Sequence, residues 1–247
     1  MLIVRIWFDA IPNLLNHAAA QTLGALGAMA IVFGSVLALR QARLKLMIAY
    51  STIAQIGYLF FLFPLASTPT AVATGTAETW AGIAWTGGVL QLVSHAVAKA
   101  AMFMAAGLIA EALGHDRIAG LAGIGRALPK TVFAFGLAGM SLMGLPPSGG
   151  FVAKAMLLVA AVAENQWWWA IVILAGGLLA AGYVFRVLTP ALTAADKPLT
   201  LQTEVSNGRQ GVVLALAICA LLLGLVPLRP SLLLEVGRHV PSVALAQ

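Results

Sequence analysis

Long apolar stretches constrain this chain most strongly, because each one is long enough to cross a lipid bilayer. They cover residues 20–39, 46–66, 82–111, 167–190 and 211–228. A helix rises about 1.5 Å per residue, so roughly 20 apolar residues cross the hydrocarbon core of a membrane. Only 9% of the residues are charged, whereas about a quarter are charged in soluble domains. The sequence therefore predicts an all-α integral membrane protein.

A further apolar stretch, 131–163, is interrupted in its middle. The interrupting residues are Gly144, Pro146, Pro147, Gly149 and Gly150. The prolines remove backbone donors and the glycines permit unusual torsions, so a regular helix cannot continue. The interruption is either a break in one helix at membrane depth, beside a polar cavity, or a surface loop between two spans. We expect a bundle of about six to eight transmembrane helices, one of them broken near residues 144–150.

Most of the chain is predicted to form a single transmembrane domain, residues 1–228, with a short C-terminal tail at 229–247. Residues 1–15 are too short and too polar to span, and we expect a helix end or an interfacial segment. The loops 40–45 and 112–130 are rich in arginine and lysine. Two spans separate these loops, so both should lie on one side of the membrane, the cytoplasmic side.

Two lysines lie where a charge is costly. Lys99 is well inside the stretch 82–111, and Lys154 follows the interruption among apolar neighbours. A cation inside a membrane costs several kcal/mol, so its default interpretation is functional. For Lys154 the alternative is a helix-end lysine whose ammonium extends to the membrane surface.

Lys99 is accompanied by two other polar residues on one helix face. Gln91, His95 and Lys99 are spaced four residues apart, which aligns their side chains along a helix. Such a stripe can hold water and relay protons, since histidine titrates near neutral pH. The alternative is a structural polar seam between helices.

Lys45 is a third candidate with a weaker signal. Two arginines precede it closely, which favours a lysine anchored in a surface loop. It could instead begin a polar path that continues through Gln55.

Between the ends of the spans the sequence contains no acidic residue. Burying a charged lysine without an anion is very costly, so we expect a counter-charge from a partner subunit. The chain has no nucleophile, metal or nucleotide motif. We therefore predict no catalytic residue and no cofactor here, and expect any redox cofactor of a host complex on other subunits.

Four segments of the chain resemble motifs of a known family. They are residues 43–58, 95–107, 121–129 and 144–154, within a motif-bearing core of 40–155. In order, they are similar to "DIKRLLAYSTISQ/HxGY", "HAFFKALLFLxxG", "MGGLxxxxP" and "GxPPLxGFxxK". These motifs are typical of the antiporter-like subunits of respiratory complex I, of Mrp-type cation/proton antiporters and of membrane-bound hydrogenases.

The resemblance implies specific roles for the polar residues. It places Lys99, His95, Lys154 and Lys45 on a hydrophilic axis that conducts protons or Na⁺. The chain is then expected to be an ion-translocating subunit of a multi-subunit complex in the cytoplasmic membrane. The alternative is a structural subunit that supports the complex and whose half-channel is vestigial.

The sequence also departs from the family pattern. Arg43 replaces the usual aspartate, and Gln55 stands where many members have histidine. The family's first repeat, with its glutamate–lysine pair, is not found in this sequence. We therefore expect another chain to supply that N-terminal half and the acidic counter-charge.

Overall fold

The chain folds as a bundle of apolar helices. The computed structural model describes residues 17–66, 80–194 and 200–225, and within these ranges it contains helices and no β-strand. Four helical stretches are long and apolar enough to cross a membrane: His17–Arg40, Leu44–Ala66, Trp80–Leu113 and Trp167–Leu192. The predicted all-α membrane architecture is confirmed.

The helices are numbered here in chain order. They are α1 (His17–Arg40), α2 (Leu44–Gly57), α3 (Leu62–Ala66), α4 (Trp80–Leu113), α5 (Ile124–Ala127), α6 (Pro129–Met143), α7 (Gly149–Ala163), α8 (Trp167–Leu192) and α9 (Asn207–Leu222). A 3-10 turn, Tyr58–Phe61, joins α2 to α3, and another, Ile118–Gly120, precedes α5.

The last predicted span, 211–228, is wrong in its bounds. Helix α9 begins at Asn207, because Ser206 caps it by accepting a hydrogen bond from the Arg209 amide. It ends at Leu222 after 16 residues, which is short of the roughly 20 that cross a bilayer. The predictions for residues 1–15 and for the tail 229–247 lie outside the described residues.

The interruption separates α6 from α7 by a short non-helical segment. Helix α6 ends at Gly144, whose φ of 80° lies in the left-handed region that favours glycine. The Pro146–Pro147 peptide bond is cis. Ser148 then caps α7, because its Oγ accepts a hydrogen bond from the Phe151 amide at 3.2 Å.

Helices α6 and α7 are the two halves of one broken helix. Both pack against α4, whose 34 residues extend for about 51 Å. Ala84, near the start of α4, packs in one apolar cluster with Leu157 of α7, whereas the second half of α4 packs with α6. At the junction, the Ser94 and Ser141 hydroxyls are 2.9 Å apart. The break thus faces the middle of α4 and neither of its ends, which favours a break at membrane depth over a surface loop.

The two basic loops lie together at one end of the bundle. The Leu44 amide donates to the Asp116 carbonyl at 2.7 Å, and the Ile118 amide donates to the Ala42 carbonyl at 2.9 Å. These backbone hydrogen bonds join the α1–α2 connection to the segment after α4. Loops 40–45 and 112–130 thus meet at the same end of the bundle, and their placement on the cytoplasmic side stays a prediction.

Candidate functional site

Lys99 lies in the interior of the bundle, at the contact between α4 and α2. Its side chain is 6% exposed. The ammonium donates to the Ile48 carbonyl at 2.6 Å and to the Ser51 hydroxyl at 2.5 Å. Neutral oxygens therefore solvate this buried amine, and both come from the first two turns of α2.

Lys154 lies at the break, where the local sequence frees a backbone oxygen for it. In an unbroken helix the Leu142 carbonyl would accept from the amide of residue 146, but Pro146 has no N–H. The Lys154 ammonium donates to this carbonyl at 2.5 Å. It also stands 4.4 Å from the ring centroid of Tyr58, a favourable cation–π arrangement.

The C-terminal end of α6 suits a cation for a second reason. Its last carbonyls lie at the negative end of the helix dipole, and the Leu142 oxygen is one of them. The break thus brings a partial negative charge into the interior of the bundle beside Lys154 without using an acidic residue.

Gln55 connects the surroundings of the two lysines. Its Nε2 donates to the Leu142 carbonyl at 3.1 Å and to the Tyr183 hydroxyl at 3.3 Å. Its Oε1 accepts from Gln91 Nε2 at 3.0 Å. A single side chain from α2 therefore contacts α4, α8 and the end of α6.

Tyr183 adds a hydroxyl to a run of polar groups. The hydroxyl accepts from Gln55 Nε2 at 3.3 Å, and Ser51 lies one helical turn before Gln55 on α2. The run, called the polar line below, consists of Lys99, Ser51, Tyr183, Gln55 with its neighbour Gln91, the Leu142 carbonyl oxygen and Lys154. It extends from one buried lysine to the other, and its members lie on five helices: α2, α4, α6, α7 and α8.

His95 lies beside the polar line on the same face of α4 as Gln91. It is partly buried, and its Nδ1 has no hydrogen-bond partner among the described residues. Gln91 Oε1 is buried and unpartnered in the same way. Two acceptors one helical turn apart suit a bridging water, which needs two or more polar partners.

The structure does not bring every predicted residue to this site. Lys45 is exposed at the start of α2, away from the polar line.

Tyr183 belongs to the polar line, but the sequence analysis did not identify it. The signal was a tyrosine within the apolar stretch 167–190, and a tyrosine there does not by itself separate a site residue from a packed side chain.

Within the described residues, no carboxylate pairs with either buried lysine. The one salt bridge found there joins Arg209 of α9 to Glu111 of α4 through two N–O contacts of 2.6 Å, at the exposed end of the bundle. The polar line is therefore basic, with neutral donors and acceptors between its two amines.

Replacing Gln55 with leucine is expected to destabilise the protein by about 1–3 kcal/mol, because it leaves Gln91 Nε2 buried without an acceptor. The thermal midpoint of the purified protein in detergent measures this loss. Gln41→Leu is the matched control, since among the described residues the Gln41 side chain, just after α1, donates only to the Leu37 carbonyl at the end of α1. Equal midpoints for the two variants would contradict the connecting role of Gln55.

Comparisons with known proteins agree with this architecture. A family model described as "NADH:quinone oxidoreductase/Mrp antiporter, TM" matches residues 1–180. NADH-quinone oxidoreductase subunit N of Desulforudis audaxviator is 33% identical over 171 residues, which are 69% of this chain and 31% of that protein. The putative antiporter subunit mnhA2 of Staphylococcus haemolyticus is 37% identical over 131 residues, 53% of this chain and 16% of that protein.

Solved structures show the same fold. A chain of the Mrp complex from Dietzia sp. DQ12-45-1b superimposes with a TM-score of 0.72 at 22% identity, covering 88% of this chain and 46% of that one. The chain thus spans less than half the length of these relatives.

Proposed function

Because the chain belongs to the NADH:quinone oxidoreductase/Mrp antiporter transmembrane family, we propose that it translocates protons as a subunit of a multi-subunit membrane complex. It is a multi-pass protein of the cytoplasmic membrane, as predicted. The polar line is the single observation that carries the proposal. It contains the two buried lysines and the hydrogen-bonding groups between them.

Protons suit the polar line better than Na⁺. An ammonium group has donors and no acceptor, so it repels a metal cation and cannot ligate it. Na⁺ would need several oxygen ligands at one place, whereas the oxygens of the polar line already accept hydrogen bonds from lysine and glutamine. Amines, hydroxyls and an imidazole with bound water can all exchange protons.

The mechanism follows from electrostatics in a medium of low dielectric constant. Two amines in one interior repel each other when both are protonated, so a proton gained by Lys99 favours proton release from Lys154. His95 Nδ1 and Gln91 Oε1, which have no hydrogen-bond partner within the described part of the chain, lie on the helix that carries Lys99, and a water bound there could extend the polar line. A change in charge outside the chain would then move protons along it.

A partner chain is part of the proposal. Two protonated lysines without a carboxylate are costly, and the described residues supply none to them. We therefore expect other membrane subunits to supply an acidic counter-charge.

A structural subunit with a vestigial half-channel is the second candidate. It is favoured by the lack, among the described residues, of a carboxylate that pairs with either buried lysine. It predicts that the lysines can be replaced without affecting transport, provided that the complex still assembles.

Replacing Lys154 with methionine separates the two candidates. We expect proton flux to fall at least about tenfold, because Lys154 is the polar line's amine at the break. The complex is purified through a tag on this chain, its subunits are identified by mass spectrometry, and it is reconstituted into liposomes. A pH-sensitive dye then reports proton movement under an imposed K⁺ diffusion potential.

The control is Lys130→Met, which removes an exposed lysine and should leave the flux unchanged. An intact Lys154→Met complex with wild-type flux would reject translocation and favour the structural role. Isolation of the chain without other membrane subunits would contradict the proposed partners.

A further inference from the structure

A basic cavity lies at the end of the bundle where the two basic loops meet, and the polar line does not use it. Its volume is about 630 Å³, and three arginines line it: Arg43, Arg117 and Arg186. Arg43 precedes α2, Arg117 lies in the segment after α4, and Arg186 is near the end of α8. Three separate parts of the chain thus direct guanidinium groups to one concavity.

The fold holds two of these arginines in a fixed relation. Arg43 and Arg117 are paired in an antiparallel backbone bridge. Flanking hydrogen bonds on either side, from Leu44 to Asp116 and from Ile118 to Ala42, secure the bridge. The positive charges therefore converge because of backbone structure rather than through flexible side chains alone.

No carboxylate neutralises the arginines within the described ranges. The salt bridge found there uses Arg209, and Asp116, although adjacent to Arg117, forms no ion pair with any of the three. Like charges around one cavity repel each other, and a bound anion would relieve that repulsion. The planar, forked guanidinium matches the oxygens of a phosphate group, with which it forms paired charge-assisted hydrogen bonds.

The position of the cavity favours a lipid as the source of the phosphate. Arg186 lies on a membrane-spanning helix whose neighbouring side chains Leu178, Phe185 and Leu192 are 73%, 53% and 69% exposed. Such large apolar side chains face lipid tails, and a cavity at the end of the span lies at the level of the headgroups. Basic pockets between helices on the cytoplasmic side are known to bind anionic headgroups.

We propose that this cavity binds the phosphate headgroup of an anionic phospholipid. The lipid would hold the α1–α2 connection, the segment after α4 and the end of α8 together at the membrane surface. This binding site is independent of proton translocation, because it shares no residue with the polar line.

Native mass spectrometry of the purified complex tests the proposal. The complex is equilibrated with phosphatidylglycerol and phosphatidylcholine of identical acyl chains, and the lipid retained is counted. Wild type should retain one tightly bound phosphatidylglycerol. One arginine-to-glutamine substitution in the cavity should weaken its retention about fivefold, and the triple variant Arg43→Gln, Arg117→Gln, Arg186→Gln about a hundredfold.

The matched control removes three positive charges outside the cavity, by Arg40→Gln, Arg126→Gln and Lys130→Gln, all at exposed positions. It should retain the tightly bound lipid. Equal loss in both triple variants would show general surface attraction and overturn the proposal. Displacement of the lipid by millimolar inorganic phosphate would instead identify a soluble phosphate site.

Two further results distinguish lost lipid binding from lost folding and from another occupant of the cavity. The single variants and the thermal midpoint separate lost binding from lost folding, since each single variant should assemble normally and still show its fivefold effect. Wild-type complex that retains no phosphatidylglycerol would also overturn the proposal, and it would favour an acidic segment of another subunit as the occupant.

Discussion

Lys99→Arg should lower proton flux through the reconstituted complex at least about a hundredfold, although the positive charge is kept. An arginine side chain does not release its proton in proteins, whereas a relay group must both accept and donate one. Positioned proton-transfer groups contribute about 10²–10⁴-fold to the rates that depend on them. The measurement is dye-reported proton uptake by proteoliposomes under a fixed K⁺ diffusion potential.

A neutral replacement of Lys99 tests whether the larger size of arginine, and not its fixed charge, causes the loss of flux. Lys99→Met fills a similar space without charge and should lose flux to the same extent, while Lys130→Arg at an exposed position should lose none. Subunit composition and thermal midpoint confirm that each complex is intact. An arginine variant that keeps more than half of the wild-type flux would mean that Lys99 supplies a fixed charge and does not relay protons.

Gly150→Ala is expected to have the largest effect of any single-methyl change at the break. A Cβ atom built at Gly150 would meet the Ser141 carbonyl oxygen, so the end of α6 and the start of α7 would be forced apart. We expect a loss of about 3 kcal/mol in stability, as for an overpacked site. Proton flux should fall at least about tenfold, because Lys154 and the Leu142 carbonyl belong to the two halves that separate.

Gly107→Ala provides the matched control within α4. A Cβ atom at Gly107 meets nothing within 4 Å, and alanine favours a helix over glycine by about 1 kcal/mol. That variant should therefore be as stable as wild type or slightly more stable, with normal flux. If Gly150→Ala behaves in the same way as Gly107→Ala, the close contact across the break does not exist.

The sequence predicted the parts of the site that depend on local chemistry. Proline at 146 and 147 ends a helix wherever it lies, so the break was visible without a structure. Lys99 and Lys154 stood out because charge is rare in apolar helices. The spacing of Gln91 and Lys99 placed both on one face of a helix, and both face the interior.

The remaining parts depend on contacts between distant segments. The packing of α4 along both halves favours a break at membrane depth over a surface loop, and this packing joins segments far apart in the sequence. Tyr183 joined the polar line only because α8 places its hydroxyl near Gln55, 128 residues away in the sequence. Lys45 is not part of the polar line, because it is exposed at the start of α2. No local pattern contains this information.

The most direct test of proton translocation through this chain is the proton flux of complexes that carry Lys99→Met and Lys154→Met together. The flux is measured under an imposed potential in liposomes with equal amounts of intact complex. We predict a flux at least about a hundredfold below that of the wild-type complex. Wild-type flux in the intact double variant would contradict the proposal that protons pass along the polar line.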